Sequence, residues 1–460
     1  MDQIFAQLRN SADDSDFYVP DLIDVELVER VCTNLKRGKS PGPDSLSSEH
    51  IIFCHPFLSC ILCKVFNWIL LSSYVPESFC LSNMVPIPKG QCHSNVRSVS
   101  DFRGIAVSSV LSKLFESCVF ELYQDYFHTQ DNQFGFKKKC GTPHAIYCVK
   151  SIVDGFVSGG SDAFVSALDI CKAFPRTNHK ALLVRLLERK APISLVDLLS
   201  NWLERSFSRV KWCGFVSEKF FLRTGVNQGS VLAPILFAVF IDNILCLCNK
   251  SGFGHILVYA DDIILLARSR HCLNELLSLV RAEVSRLNLE MNYDKCSSIR
   301  FGPNFDVHVE PLLAGTCNSI KWCDEICYLG VHLVAGRKLK FSVADAKRKF
   351  NKSCNAVLSK VLCTCNHVLT MHLLHIKCLP SLLYGVEAMD LTSAQLQSMD
   401  FAYIRFAMKV FRLFNRQSIM ECLNFMHIEL PSVLVARRRA KFLCKLRNAG
   451  NSFCKLVCVV

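Results

Sequence analysis

The sequence predicts an α+β fold, with an antiparallel sheet at its centre and a helical C-terminal region, and three features carry that expectation. Residues 256 to 268 read Ile-Leu-Val-Tyr-Ala-Asp-Asp-Ile-Ile-Leu-Leu-Ala-Arg, two β-forming apolar runs, too short for a membrane span, either side of an acidic pair. If Ile256–Ala260 and Ile263–Ala267 pair as a hairpin, Asp261 and Asp262 crown its turn. Residues 164 to 174 form a second strand-like run, in which the strand ends at Asp169. Beyond Leu339 the pattern becomes almost wholly helical and basic, with breaks near Pro380 and Pro431.

Taken in order, residues 1 to 30 read as a short, partly helical leader, and residues 31 to 163 alternate helical runs with loops such as Ser40 to Pro43. Within them, Ile51 to Val75 is apolar enough to suggest a membrane span. His55, Lys64 and Asn67 fall in mid-segment, where each is costly in hydrocarbon, so a buried helix is expected and no membrane role is inferred. Residues 164 to 339 carry the acidic strands, with helices expected after Phe174, after Pro192 and after Gly229. Residues 340 to 460 make the helical, basic tail. No period of 20 to 50 residues repeats.

The acidic residues carry the chemistry. An unpaired carboxylate in an apolar setting either neutralises or finds a cation. Asp261 and Asp262, joined by Asp169, suit a pair of divalent ions, and Mg²⁺ accepts one or two protein carboxylates while substrate phosphates and water complete its octahedron. Between the acidic sites, Gly225-Val-Asn-Gln-Gly-Ser-Val-Leu-Ala-Pro-Ile-Leu-Phe237 is a Gly-marked turn leading into an apolar helix that runs towards Cys248. That order, acidic strand, Gln-Gly-Ser turn, acidic hairpin, is the ground plan of a two-metal nucleotidyl transferase.

Composition agrees. Lys plus Arg number 53 against 40 for Asp plus Glu, a formal +13, the sign suited to a phosphate backbone. The excess clusters at Lys36 to Lys39, Lys137 to Lys139, Arg337 to Lys338, Lys347 to Lys349 and Arg437 to Lys441. The 26 cysteines follow no framework spacing, and Met1-Asp-Gln-Ile does not open a signal peptide, so reduced, core-filling cysteines in an intracellular protein, nuclear or cytoplasmic, are expected. Cys60 with Cys63, and Cys363, Cys365, His367, His372, His375 and Cys378, have ligand-like density but no four convergent positions, which argues against structural zinc.

A series of further motifs stands in order along the chain: Lys39-Ser-Pro-Gly-Pro-Asp44 with Glu49; Pro86-Ile-Pro-Lys89; Asp101-Phe-Arg-Gly-Ile105 with Lys113 and Glu116; Gln133-Phe-Gly-Phe136 with Thr142; Asp169 to Phe174; Gln228-Gly-Ser230; Tyr259-Ala-Asp-Asp262; Leu289 with Asn292 and Lys295; and Tyr328-Leu-Gly330. Over roughly residues 30 to 390 this order resembles the reverse transcriptases of non-LTR (LINE-type, Jockey-like) retrotransposons. The resemblance implies a right-hand polymerase fold: fingers over 31–163, palm over 164–339, thumb over 340–460 after a leader at 1–30. It implies RNA-directed DNA polymerisation, with an RNA template, a DNA primer and deoxynucleoside triphosphates as partners and two Mg²⁺ ions, or Mn²⁺ in their place, as cofactors.

The same resemblance implies roles. Asp169, Asp261 and Asp262 would hold the metals, and Lys295 would be a general acid for departing pyrophosphate. Lys89 and Arg103 would clamp the triphosphate. Phe174 would exclude a ribose 2′-hydroxyl, while Gln228, Gly229, Ser230 and Tyr259 would approach the nucleotide and template. The chain departs from the pattern at Pro175, where Asp is common, at Asn227 and at Gly104, where Pro is frequent. Full-length members usually carry an endonuclease domain that has no room ahead of Val31, so a fragment, a shortened copy or a domesticated remnant is expected. The alternatives are a catalytically impaired relic and a maturase-like RNA-binding scaffold.

Overall fold

The computed structural model describes residues 2–11, 22–89, 98–313, 319–361, 366–448 and 450–458. The chain divides into two compact units. The first comprises Met1–Gln130, Ile170–Cys246 and Ala282–Met291, and the second comprises Asp131–Asp169, Leu247–Arg281 and Asn292–Val460.

In the first unit, the strand Leu81–Pro88 pairs antiparallel with Phe102–Ser108 and parallel with Phe207–Trp212. The long apolar segment becomes the helix Phe57–Ser72. Here the structure corrects the expectation of a buried helix: Leu62, Cys63, Phe66, Ile69 and Leu70 are buried, but Phe57 and Trp68 on the other side are 62% and 59% exposed. A helix that is apolar all round covers only as much surface as its neighbours offer, and each side chain fully buried contributes about 1.5–3 kcal/mol. Asn67 is not a stray polar group: its side chain accepts the Ile23 N–H and donates to the Ile23 carbonyl, both at 2.8 Å. No helix among the described residues is long and apolar enough to cross a membrane.

The expected helices after Phe174 and Pro192 run over His179–Glu188 and Ile193–Glu204. The apolar run after Gly229 is helical over Ala233–Ile241 and then breaks at Asp242 before Asn243–Ser251. The break serves a carboxylate, since Asp242 accepts the Gln130 N–H at 2.9 Å and pairs with Arg189 at 2.6 Å.

The second unit is built on a six-stranded sheet in which Ser297–Phe301, Ala163–Asp169, Asp262–Ala267 and His255–Tyr259 lie side by side, all antiparallel. Ser319–Trp322 joins Ser297–Phe301 in parallel and in turn carries the edge strand Leu312–Leu313 antiparallel. The strands are near-continuous runs of apolar β-formers, and the helix Thr142–Ser158 covers the sheet by packing Ile146, Val149 and Val153 among Val165, Leu257, Ile264 and Leu266. A three-stranded antiparallel sheet, Glu325–Tyr328, Val331–Val334 and Lys340–Ser342, follows.

The tail is helical, as its pattern requires: Ala344–Val361, Ser393–Phe411, Arg416–Phe425 and Pro431–Arg447 gather Phe350, Cys354, Tyr403 and Phe406 into a separate core. Of the cysteine and histidine cluster, Cys363 and Cys365 lie outside the described residues, Cys378 is buried in that core and His375 approaches the Tyr403 hydroxyl.

Candidate active site

Strand register places the acids. Tyr259 and Asp262 face each other across a two-residue turn made by Ala260 and Asp261, and on the other side of the same strand Asp262 stands directly opposite Asp169. The hairpin expected from sequence is therefore present with its strands at His255–Tyr259 and Asp262–Ala267. Side-chain alternation then brings Asp169 and Asp262 to one level of the sheet.

The electrostatics of this group are unfavourable. Burial, then Asp261, then Asp169 push the Asp262 carboxyl up to about 6, with Lys295 opposing them. Lys295 itself lies 3.5 Å from Asp169. Its loop is tied to the acidic strand by the Asn292 N–H, which donates to the Asp169 carbonyl at 2.8 Å. Two further acids thus raise the Asp262 carboxyl and one lysine opposes them, a charge balance of the kind in which carboxylates take up oxygen-seeking divalent ions. Among the described residues no three His, Cys, Asp or Glu side chains are already drawn together as a metal cage. Mg²⁺ does not require one, because substrate phosphates and water complete its shell.

Tyr259 is half-buried, and burial raises its hydroxyl. Tyr328 and Val331 close a second tight hairpin through Leu329 and Gly330, both at positive φ, 46° and 80°. The Tyr384 hydroxyl anchors this turn, donating to the Leu329 carbonyl at 3.0 Å and lying 3.2 Å from the Thr142 hydroxyl. Sequence reasoning gave Tyr384 no role.

The remaining candidates belong to the first unit. The Gln228 carbonyl accepts the Ala106 N–H at 2.8 Å. Gly229 sits at φ +134°, and a Cβ there would fall 2.2 Å from the Ala106 carbonyl oxygen, so no other residue fits this turn. Ser230 receives the Ala233 N–H on its hydroxyl at 3.0 Å, capping the helix that follows.

Beneath this turn is a residue that sequence analysis left without a role. Glu116, 3% exposed, accepts the N–H groups of Val231 and Leu232, the latter at 2.8 Å, and burial raises its carboxyl. An acid at a helix start is a recognisable signal only once the chain has brought two distant segments together.

Phe174 stacks on Phe237 with ring centres 4.5 Å apart and planes at 22°. Behind it Pro175 falls inside the short 3₁₀ turn Phe174–Arg176, where a missing N–H is easily tolerated. Lys89 and Arg103 are exposed on neighbouring strands: Ile87 pairs with Arg103, and the Lys89 N–H donates to the Asp101 carbonyl at 2.7 Å.

Comparison with known proteins places this arrangement. Residues 87–333, more than half of the chain, match the family described as reverse transcriptase (RNA-dependent DNA polymerase). The chain is 28% identical over 322 residues to the Pol polyprotein of the type-2 retrotransposable element R2DM of Drosophila melanogaster, covering 67% of this chain and 30% of that protein. It is 28% identical over 299 residues to the RNA-directed DNA polymerase from the mobile element jockey of Drosophila funebris, covering 61% and 32%. The chain thus spans about a third of the length of these relatives. Among solved structures, a telomerase from Candida albicans, in complex with a fragment of telomeric RNA, aligns at 10% identity and TM-score 0.44 over 76% of this chain and 66% of that one. The ordered motifs, the acidic hairpin and the family match agree: the chain belongs to the reverse transcriptase family, with relatives among the non-LTR retrotransposons.

Proposed function

We propose that this chain extends a DNA primer along an RNA template by transferring deoxynucleotides to the primer 3′ end. The observation that carries the reading is the register that sets Asp169 opposite Asp262, with Asp261 in the adjoining turn and the Asp262 carboxyl raised by both of these acids. Asp169, Asp261 and Asp262 would hold two Mg²⁺ ions, which when bound favour ionisation of the 3′-hydroxyl and neutralise the triphosphate. Lys295, at 3.5 Å from Asp169, has the reach to hold or deliver a proton near the leaving group.

Exposed Lys89 and Arg103 supply cations for the triphosphate, and the Gly229 turn gives a nucleotide close access to backbone. We assign residues 31–163 to fingers, 164–339 to palm and 340–460 to thumb on the motif order. A chemistry fed by deoxynucleotides belongs inside the cell.

The test is primer extension on an RNA template with purified protein, Mg²⁺ and deoxynucleotides. Wild type should extend the primer, and Asp261→Asn should abolish extension while leaving template binding intact. Equal activity in the variant removes the metal assignment, and binding without synthesis in the wild type favours a scaffold.

A further inference from the structure

The turn that presents the acids is held from outside the hairpin. Residues Asn132 to Gly135 lie along the outer strand: the Val258 N–H donates to the Asn132 carbonyl at 3.0 Å and the Phe134 N–H donates to the Val258 carbonyl at 2.8 Å. The Asn132 side chain donates to the Ile256 carbonyl at 2.9 Å. This lashing leaves Gln133 fully buried. Its Oε1 accepts two N–H groups, from Gly135 at 3.1 Å and from Ala260 at 3.4 Å. Two donors on one atom fix which end of the amide is oxygen.

Two facts make the contact more than packing. Ala260 sits at φ +57°, a conformation that costs an L-residue roughly 1–2 kcal/mol, so the turn needs an external restraint. The other end of the amide, Nε2, is buried with no hydrogen-bond partner among the described residues, a loss of about 1–3 kcal/mol. An amide that leaves its donor idle at such cost is explained by what its acceptor holds. Gly135 completes the clamp, since a Cβ there would lie 2.5 Å from the Ala260 nitrogen.

We propose that Gln133 is a positioning residue: its side-chain oxygen, through the Ala260 N–H, fixes the turn that presents Asp261 and Asp262 to divalent metal. The inference rests on the polymerase reading above. Misplacing a reacting group by about 1 Å costs on the order of 100-fold in rate, which sets the scale of the effect.

The experiment compares the wild-type chain with Gln133→Met, Gln133→Glu and Gly135→Ala. Single-nucleotide incorporation gives kcat and the nucleotide KM. Electron paramagnetic resonance of Mn²⁺ on protein without nucleic acid gives metal affinity independently of activity. Gln133→Met, which keeps the volume and loses the acceptor, should lower kcat about 10- to 100-fold with KM little changed, and should weaken Mn²⁺ binding. Gln133→Glu, which keeps the acceptor, should recover most of both. Gly135→Ala should reproduce the Met variant with Gln133 still present.

Wild-type kcat and Mn²⁺ affinity in Gln133→Met overturn the proposal, as does equal damage in the Met and Glu variants. If the Met variant fails to fold, unaltered kcat and Mn²⁺ affinity in Gly135→Ala overturn it. A wild-type chain that neither binds Mn²⁺ nor extends a primer removes the polymerase reading and this inference together. An active wild type with indifferent variants removes the inference alone.

Discussion

Glu116 and Asp262 are both carboxyls whose pKa burial raises, one in each unit, yet their surroundings differ in kind. Glu116 accepts two backbone N–H groups, with Lys113 nearby, so its position is already satisfied by protein. Asp262 is met mainly by two further acids. A buried carboxyl with its own donors secures a turn, whereas a half-buried one met by further acids is the kind that attracts a cation. The contrast separates a carboxyl satisfied by protein from the one proposed as a metal ligand.

Removing charge should therefore act in opposite directions at the two sites. The largest expected effect is at Asp262→Asn, where synthesis should fall by at least about 10²–10³-fold, the scale of losing one electrostatic stabiliser. Stability should move the other way. Because the folded pKa of Asp262 is raised, its favourable contribution is present below the unfolded value and is lost as pH rises through about 6. In metal-free protein Asp262→Asn should therefore melt higher than wild type at pH 7.5 by a few degrees, with the gap closing towards pH 4. Thermal melts at both pH values check this, and added Mg²⁺ should raise the wild-type midpoint and not that of the variant. A variant that melts lower at pH 7.5 and equally at pH 4 breaks the comparison.

Glu116→Ala should do the reverse. It strands the Val231 and Leu232 N–H groups in a buried position, a cost of about 2–6 kcal/mol at about 1–3 kcal/mol per unsatisfied donor. Denaturant unfolding measures that loss. In the fraction that remains folded, the nucleotide KM should rise more than kcat falls, because the Gln228 to Ser230 turn adjoins those two amides. An unchanged unfolding midpoint would show that Glu116 is not what holds the turn.

The acidic hairpin and the Asp169 strand were legible in sequence because short runs of apolar β-formers, interrupted by charge, permit few other structures. Glu116 and Gln133 were visible as parts of motifs and Tyr384 was not, and the partners of all three went unread. Each acts through backbone groups at Val231, Ala260 or Leu329, and the sequence records no trace of which backbone amide a side chain will meet. The helix Phe57–Ser72 was legible as a helix and misread in burial, because hydrophobicity alone does not say how much neighbouring surface is available.

A smaller effect is expected at Phe174, where the comparison sharpens to packing against selectivity. Its stack on Phe237 contributes about 0.5–1.5 kcal/mol beyond burial, so Phe174→Ala carries a modest stability cost whatever its other role. If the ring also excludes a 2′-hydroxyl, the ratio of ribonucleotide to deoxynucleotide kcat/KM should rise by about 10-fold or more, and Phe174→Val should do the same with less damage. Competition between the two nucleotide types in single-turnover extension reads this directly. Loss of stability with unchanged sugar discrimination would leave Phe174 as a packing residue.

The smallest effect is expected at Pro175, the departure from the family pattern nearest to Phe174. Proline is harmful where an N–H is needed, and here it lies within the first residues of a 3₁₀ turn, where N–H groups have no acceptor within the helix. The neighbouring contacts use other backbone atoms: the Val226 N–H donates to the Phe174 carbonyl at 3.0 Å, and the Thr224 hydroxyl donates to the Pro175 carbonyl at 3.2 Å. An aspartate at 175 would keep both carbonyls and add a donor that the turn does not require. Pro175→Asp should then change the rate of deoxynucleotide addition by no more than about twofold, with a stability loss of roughly 0.4–1 kcal/mol from the freer unfolded chain. Extension rates and unfolding midpoints of the two proteins, under the same Mg²⁺ and salt, decide the matter. A large gain in rate would mean that Pro175 distorts the segment bearing Phe174, and would turn the reading from a working polymerase towards an impaired copy.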